Sequence, residues 1–311
     1  MTGSVAGPMG APRPRISVII PTYNRRADVV RAVMSVLEQT LAPHQVIVVD
    51  DGSTDDTEQA VRSLPEPVLY VRKENGGVSS ARNLGFKHVS GDYVCLLDSD
   101  DRWAPDWLET ATSAIQRTPG AAAAACTQLA LVDPEGRSLG VRNSNGLASG
   151  GVVLLPKLML GGIMGSNLCL RTELLADVGE FDPMLRTGED MDFALRVAAL
   201  TRIAAVERPL IYVTHSLVSL SKHVDTGNRL RVYDQFERRF PGLALRHHKD
   251  IQSARVDATL GYVRDLIWDR RLSEARSRVR ESWQLRPTWA AFVLGVKIEL
   301  LSLVAKRNRA P

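Results

Sequence analysis

The fold is decided by two apolar runs that each end in polar residues, ISVIIPTYN at residues 16–24 and VIVVDDGS at residues 46–53. Such β-branched runs are typical of strands that are covered on both faces of a sheet. Between them, apolar residues recur over residues 29–37 at the spacing of one helix face. The sequence therefore begins with a strand, a helix and a second strand.

The same alternation continues to residue 97. A helix is predicted at residues 57–64, a strand at 68–71, a helix at 79–88 and a strand at 93–97. This order predicts an α/β fold with a mostly parallel, Rossmann-like sheet flanked by helices. Ligands of such sheets bind beyond the carboxyl ends of the strands, which is where the polar residues of this sequence stand.

The pattern is less regular after residue 100. A helix and a strand are predicted within residues 107–132, a loop at 140–151 and an amphipathic helix at 190–200. Residues after 228 give Arg-rich helical patterns without strand signals. We therefore predict three parts, namely a flexible arm at residues 1–14, an α/β domain at 15–225 and a basic, helical C-terminal region at 226–311.

Charge divides the chain unevenly. Its 39 Lys and Arg residues against 35 Asp and Glu residues give a net charge of +4, too small an excess to suggest nucleic-acid binding. Residues 228–311 hold 18 basic and 9 acidic residues, whereas residues 1–227 hold 21 basic and 26 acidic ones. An acidic body with a basic C-terminal region suggests separate tasks for the two parts.

Three scattered cysteines, Cys95, Cys126 and Cys169, form no CxxC pair, so we expect neither a disulfide framework nor a structural zinc site. Residues 1–14 lack the apolar core of a signal peptide, and no run reaches the roughly 18–20 apolar residues of a membrane span. We expect a cytoplasmic protein that can lie at the inner face of the cell membrane.

The tetrapeptide Asp98-Ser99-Asp100-Asp101 directly follows a predicted strand. Alternate side chains of an extended chain point the same way, so Asp98 and Asp100 can converge. Grouped carboxylates suit Mg²⁺ or Mn²⁺, which bind through one or two carboxylates together with substrate phosphates. The alternative is structural: Asp100 or Asp101 caps the helix that follows.

Two other turns contain candidates for nucleotide binding. Asp51, before Gly52, can accept hydrogen bonds from a base or a ribose, or it can simply shape an Asx turn. Gly76 and Gly77 precede a helix whose free amides suit an anion, and Arg82 can donate to phosphate oxygens. The alternative for this segment is a tight turn with a serine cap and a solvated arginine.

The segment from Thr187 to Asp192 begins the last helix of the acidic body. We expect the helix dipole to lower the pKa of Asp190, which keeps this carboxylate ionised as a general base. The alternative is a helix cap. His215 follows a strand-like run and is either a ligand for metal or diphosphate or a structural histidine.

The C-terminal segment from Trp289 onward is aromatic and amphipathic, and it ends in the basic residues Lys306, Arg307 and Arg309. This pattern fits a peripheral contact with an anionic membrane surface. It fits equally a helix that packs on the body with a solvated end.

Taken together and in order, these motifs resemble those of the family 2 glycosyltransferases, which have the GT-A fold. The resemblance covers roughly residues 14–223 and rests on the following segments: Pro21-Thr22-Tyr23-Asn24, Val49 to Asp55, Asn75-Gly76-Gly77 with Ala81-Arg82-Asn83, Leu97 to Asp101, Gly179 to Asp182, and Gly188 to Asp192.

The resemblance implies roles for single residues. The nucleotide-sugar would be bound by Pro21, Tyr23, Asp51, Arg82, Asp98, Ser99 and Asp100. A divalent metal, Mn²⁺ or Mg²⁺, would be held by the group of Asp98, Asp100 and Asp101. Asp100 and Asp101 are the proposed ligands, although the extra Asp allows more than one registry. His215 is a further candidate ligand because of its position after a strand-like run. Asp190 would be the catalytic base, with Glu189 and Asp192 as second candidates.

The resemblance further implies an inverting transfer from a nucleotide-diphospho-sugar, most commonly a UDP-sugar, to a glycan or lipid-linked acceptor. The sequence lacks the Gln-x-x-Arg-Trp motif of processive synthases, so we expect one sugar per encounter, in surface polysaccharide, glycolipid or lipid-linked glycan synthesis. Two alternatives are a non-catalytic nucleotide-sugar-binding or scaffold protein and a sugar-phosphate nucleotidyltransferase. The latter usually has a Gly-rich loop where this chain has Pro21 to Asn24.

Overall fold

The described strands of this protein form one eleven-stranded sheet. The computed structural model describes residues 13–118, 122–142, 148–149, 151–160, 168–214 and 227–307, and the sheet lies within these ranges. Its strands are β1 (Ile16–Thr22), β2 (Gln45–Asp50), β3 (Val68–Arg72), β4 (Tyr93–Leu96), β5 (Arg102–Trp103), β6 (Ala122–Val132), β7 (Ser138–Arg142), β8 (Ala148–Ser149), β9 (Val152–Val153), β10 (Cys169–Arg171) and β11 (Arg202–Thr214).

Helices cover both faces of this sheet and continue beyond it. They are α1 (Arg26–Leu37), α2 (Thr57–Arg62), α3 (Val78–Phe86), α4 (Trp107–Arg117), α5 (Leu155–Leu160), α6 (Leu175–Val178, after a 3-10 turn at Thr172–Leu174), α7 (Glu189–Leu200), α8 (Gly227–Arg239), α9 (Pro241–Arg246), α10 (His248–Trp268), α11 (Leu272–Leu285) and α12 (Trp289–Arg307).

The first four strands form a parallel half-sheet in the order β3-β2-β1-β4. Strand β1 pairs in parallel with β2 and β4, and β2 pairs in parallel with β3. The predicted Rossmann-like α/β architecture is therefore confirmed. Parallel pairing brings the carboxyl ends of β1, β2 and β4 to one edge of the sheet, where Thr22 stands in register with Asp50.

Alternate residues of these strands enter two separate cores. Ile19 and Ile47 pack in the core shared with α3, α7 and α8, whereas Val18 and Val46 pack in the core shared with α1 and α4. All four side chains are fully buried. Burial on both faces is the reason that these runs are apolar throughout rather than alternating.

Helix α3 lies unusually close to β1 because its Gly85 has no side chain. A Cβ at this position would lie 2.5 Å from Cγ2 of Ile19, a β-branched side chain that is itself fully buried. Such an overlap cannot be relieved by a rotamer change in a packed core. Gly85 therefore sets the height of α3 above the sheet, and with it the position of Arg82.

The second half of the sheet is mixed. Strand β10 pairs in antiparallel fashion with both β4 and β6, and the long strands β6 and β11 pair in parallel. The predicted loop at residues 140–151 is wrong in part, because β7 pairs with β6 and β8 pairs with β9. Ladder pairing with a long neighbouring strand outweighs the local preference of the Gly and Ser residues for turns.

The described part of the C-terminal region is helical, as predicted. Helix α10 packs against α8 in the core of the body and against α11 and α12 in a smaller core of its own, which contains Val263, Val279 and Ile298. Among the described residues, no helix is both long and apolar enough to cross a bilayer. The predicted arm falls mostly on residues 1–12 and the predicted boundary on 215–226, both outside the described ranges.

Candidate active site at the carboxyl edge of the sheet

The acidic tetrapeptide after β4 forms a tight turn. The Asp101 N–H donates to the Asp98 carbonyl oxygen over 3.0 Å, which brings three carboxylates together. Asp98 and Asp100 are each about one third exposed, whereas Asp101 is 5% exposed. Burial, with the nearby charges of Asp98 and Asp100, raises the pKa of Asp101 well above its usual value.

This turn does not cap a helix. Strand β5 separates it from α4, which begins at Trp107 after Asp106. The capping alternative for Asp100 and Asp101 is therefore wrong. Asp100 instead forms an ion pair with Arg25, and the Asp101 carboxylate accepts a hydrogen bond from the Thr214 N–H over 3.3 Å. The buried Ser99 lies between Asp98 and Asp100 in the chain.

Arg82 joins this cluster to the start of α7. Its buried guanidinium donates to Oδ1 of Asp98 over 2.7 Å and to Oε1 of Glu189 over 3.1 Å, and it lies 5.0 Å from the ring centroid of Phe181. Burial would lower the pKa of Arg82, but Asp98, Glu189 and Asp190 raise it. The alternative of a solvated Arg82 is therefore wrong. Through Arg82, the acidic cluster shares one site with Glu189 and Asp190.

Helix α7 begins after Gly188, which has the left-handed φ of 83°. Asp190 accepts a hydrogen bond from the Met191 N–H over 2.7 Å. Burial raises the pKa of Asp190, Arg82 lowers it in part, and Asp98 raises it further. The expectation of a lowered pKa at this helix start is therefore wrong, because burial outweighs the helix dipole; a raised pKa makes the carboxylate a stronger proton acceptor.

Asp51 closes the loop that leads to α3. Its buried carboxylate accepts hydrogen bonds from the Lys73 ammonium over 2.6 Å and from the N–H groups of Gly76 and Gly77 over 3.0 and 2.7 Å. The two glycine amides were expected to be free for a bound anion. They are engaged instead, because Asp51 supplies the negative charge from within the chain.

The neighbouring Asp50 has a structural role. It is fully buried and accepts hydrogen bonds from the Ser53 N–H over 2.7 Å and from the Tyr70 hydroxyl over 2.5 Å. The turn around Gly52 is thus closed by Asp50, whose carboxylate binds the N–H three residues on, and not by Asp51. The Asp51 carboxylate instead faces Lys73 and the N–H groups of Gly76 and Gly77.

The end of β1 is tied to the end of β2 through Asn24. Its N–H donates to Oγ of Ser53 over 2.8 Å, and its Oδ1 accepts from the Thr54 N–H over 2.7 Å. The preceding Pro21 is buried, whereas Tyr23 is 46% exposed. An aromatic ring therefore stands at the rim of the carboxyl edge, available to stack on a planar ligand.

Two further candidates lie apart from this arrangement. Asp192 pairs with Arg196 over 2.7 Å, and Arg196 also donates to the Val178 carbonyl oxygen, so this carboxylate ties α7 to the end of α6. His215 lies outside the described residues. Within the described ranges, no three His, Cys, Asp or Glu side chains are arranged as a complete metal site.

Sequence reasoning missed several partners of the candidate residues. Arg25 directly follows the turn after β1, and Lys73 directly follows β3, so the rule that nominated the acidic residues at the carboxyl edge could also have nominated these two cations. No local pattern indicates the role of Asn83, whose side-chain amide donates to the Phe181 carbonyl oxygen and accepts from the Phe181 N–H over 2.9 and 2.8 Å. These two hydrogen bonds hold the Gly179–Asp182 segment against α3.

Comparisons with known proteins agree with this geometry. Residues 93–305 match the family described as glycosyl transferase family group 2, and residues 17–157 match glycosyl transferase family 2. The succinoglycan biosynthesis protein ExoO of Rhizobium meliloti is 32% identical over 65% of this chain and 61% of its own length. An uncharacterized glycosyltransferase of Rickettsia felis is 30% identical over 69% of this chain but only 36% of its own length.

The fold also matches a solved structure. The crystal structure of S. aureus TarS 1–349 in complex with UDP-GlcNAc superimposes with a TM-score of 0.63, covering 91% of this chain and 89% of that one. The sequences are 20% identical, so the likeness concerns the fold, which is the GT-A fold with its helical C-terminal region.

Replacing Arg82 tests whether it neutralises the site. We expect Arg82→Gln to lower the free energy of unfolding by about 3 kcal/mol at pH 7.5, because it leaves buried carboxylates unpaired. Arg82 lowers the pKa of Glu189 and Asp190, so its contribution is lost as these groups become protonated. The difference from wild type should therefore shrink as the pH falls to 5, as measured by urea unfolding.

Arg26→Gln is the matched control, because the Arg26 side chain is 62% exposed. We expect it to change the free energy of unfolding by less than about 0.5 kcal/mol at either pH. An Arg82→Gln variant as stable as this control, or one whose deficit is the same at both pH values, would show that Arg82 does not neutralise the carboxylates.

Proposed function

Because the chain belongs to the family 2 glycosyltransferases, we propose that it transfers a sugar from a nucleotide-diphospho-sugar to an acceptor hydroxyl with inversion at the anomeric carbon. One observation carries this proposal: Arg82 joins Asp98 of the acidic turn to Glu189, the neighbour of Asp190, in one site. The groups that bind the donor diphosphate and the base that activates the acceptor hydroxyl can then act on the same sugar.

The donor is proposed to bind along the carboxyl edge of β1, β2 and β4. Tyr23 would stack on the base, Pro21 and Asp51 would shape its pocket, and Asp98 and Ser99 would contact the ribose. The buried Arg82 would lie near the diphosphate. A UDP-sugar is the proposed donor, a choice supported by the UDP-GlcNAc complex of the similarly folded TarS.

A divalent cation, Mn²⁺ or Mg²⁺, is proposed to bind at Asp100 and Asp101, with His215 as a third protein ligand. The residues fit such an ion, because Asp101 is buried beside two other carboxylates that raise its pKa, and a hard cation would offset this repulsion. When bound, the ion would supply positive charge to the diphosphate oxygens. Oxygen atoms of the donor diphosphate would complete the ligand set that these protein residues leave incomplete.

The transfer itself is proposed as a single displacement. The acceptor oxygen forms a bond to the anomeric carbon while the bond from that carbon to the diphosphate oxygen breaks, and the hydroxyl proton passes to the Asp190 carboxylate. The raised pKa of Asp190 favours this proton transfer. Glu189 holds Arg82 in place and is proposed to position the base rather than to replace it.

The acceptor is proposed to be a glycan or a lipid-linked glycan that receives one sugar per encounter. The similarity to a succinoglycan biosynthesis protein supports a role in polysaccharide synthesis. Sizing of a labelled product separates single addition from polymerisation: extension by one sugar is expected, and long polymer made by this chain alone would contradict the proposal.

Asp190 is the most direct target for testing the chemistry. We expect Asp190→Asn to reduce kcat by roughly 10²–10⁴ with the Kd of the donor nearly unchanged, because the substitution removes the proton acceptor and keeps the shape. In the wild type, kcat/KM should fall as the pH drops through the pKa of Asp190, which lies above the usual 3.8. Asp257→Asn, an exposed aspartate on α10, is the matched control.

Slow hydrolysis of the donor by the purified chain with Mn²⁺ provides a second readout that needs no acceptor. Its complete absence in the wild type would favour a non-catalytic nucleotide-sugar-binding protein. Near-normal turnover by Asp190→Asn would move the base to another residue.

Asp100 tests the metal proposal. We expect Asp100→Asn to weaken the binding of Mn²⁺ and of the donor together, because the two ligands share the same carboxylates. Thermal shift with UDP-sugars at graded Mn²⁺ concentrations measures both effects, since a ligand that prefers the folded state raises the Tm. A Tm response to Mn²⁺ equal to that of wild type would contradict this assignment.

A further inference from the structure

Helix α12 is apolar on two different faces. One face is buried against α10 and α11 through Ala291, Leu294 and Ile298. The other face carries large apolar side chains that recur at helical spacing, each between 44% and 77% exposed: Trp289, Phe292, Val293, Val296, Leu300 and Leu303. A globular helix usually places polar residues opposite its buried face.

The second apolar face continues onto α11. Trp283 is 44% exposed, and it lines a groove between α11 and α12 with a volume of about 590 Å³. We call Trp283 and the six exposed residues of α12 the α11–α12 apolar face. Large apolar side chains exposed side by side in this way mark a site of contact with another body.

The charge around this face is positive. Each acidic residue of α11 and α12 is already paired with an arginine, in the pairs Glu274 with Arg271, Glu281 with Arg278, and Glu299 with Arg276. Three exposed cations have no carboxylate partner among the described residues, namely Arg280, Arg286 and Lys297. The sequence adds Lys306 and Arg307 at the end of α12.

We propose that the α11–α12 apolar face binds the surface of an anionic lipid bilayer. Apolar side chains would enter the boundary between headgroups and acyl chains, and the unpaired cations would meet the anionic headgroups. A second copy of the chain fits less well, because a two-fold contact through this face would bring two sets of unpaired cations together. The inference does not depend on the proposed glycosyl transfer.

Vesicle co-sedimentation of the full chain tests this surface without any donor or acceptor. We expect binding to vesicles of phosphatidylcholine with 30% phosphatidylglycerol, weaker binding to phosphatidylcholine alone, and release from anionic vesicles at high salt. Lys297→Gln should weaken binding about fivefold. Lys249→Gln, which removes an exposed lysine of α10 outside this face, should leave it unchanged.

The apolar contribution is tested with exposed leucines, whose replacement leaves the core intact. We expect Leu300→Gln with Leu303→Gln to weaken partitioning at least tenfold. Leu245→Gln, at an 80% exposed leucine of α9, is the matched control and should bind like wild type. Unfolding curves of the three proteins should coincide, which separates lost contact from lost folding.

Three results would overturn the proposal. They are equal binding of the leucine double variant and wild type, no binding to anionic vesicles, and dimerisation that the double variant abolishes without any vesicle binding. The last result would assign the face to a second copy of the chain. Because none of these readouts uses a nucleotide-sugar, they leave the proposed function to its own tests.

Discussion

Three carboxylates surround the buried guanidinium of Arg82. Asp98 and Glu189 accept its hydrogen bonds, and Asp190 is close enough for Arg82 to lower its pKa against the effect of burial. Without this cation, the carboxylates would stand together in a partly buried site with little to offset their repulsion. The acidic turn after β4 and the start of α7, which are about 90 residues apart, therefore depend on one side chain to share a site.

The sheet sets the positions of the candidate site residues, and contacts made by helix α3 hold them there. Parallel pairing brings the polar ends of β1, β2 and β4 to a common edge, and Gly85 lets α3 approach β1 closely enough for Arg82 to reach the turn after β4. Asn83, next to Arg82 on the same helix, binds the backbone of Phe181. One short helix thus fixes both sides of the candidate active site.

Much of this architecture could be predicted from the sequence, because buried parallel strands have continuous apolar sequences and end in recognisable turns. The acidic turn was nominated for that reason, and the Glu189-Asp190 pair was nominated because it begins an amphipathic helix. The ion pairs were not, since Arg25 with Asp100 and Lys73 with Asp51 join residues far apart in sequence. The direction of the pKa shift at Asp190 was also predicted wrongly, because burial depends on the packing of the whole fold and not on a local motif.

A double-mutant cycle between Asp98→Asn and Glu189→Gln tests the central claim most directly, because these residues touch Arg82 from opposite sides. If one guanidinium couples them, the two losses in the free energy of unfolding should be non-additive by about 0.5–3 kcal/mol, and this coupling should vanish when Arg82 is replaced by Gln. Losses that add within about 0.5 kcal/mol with Arg82 present would show that the acidic turn and the start of α7 do not form a common site.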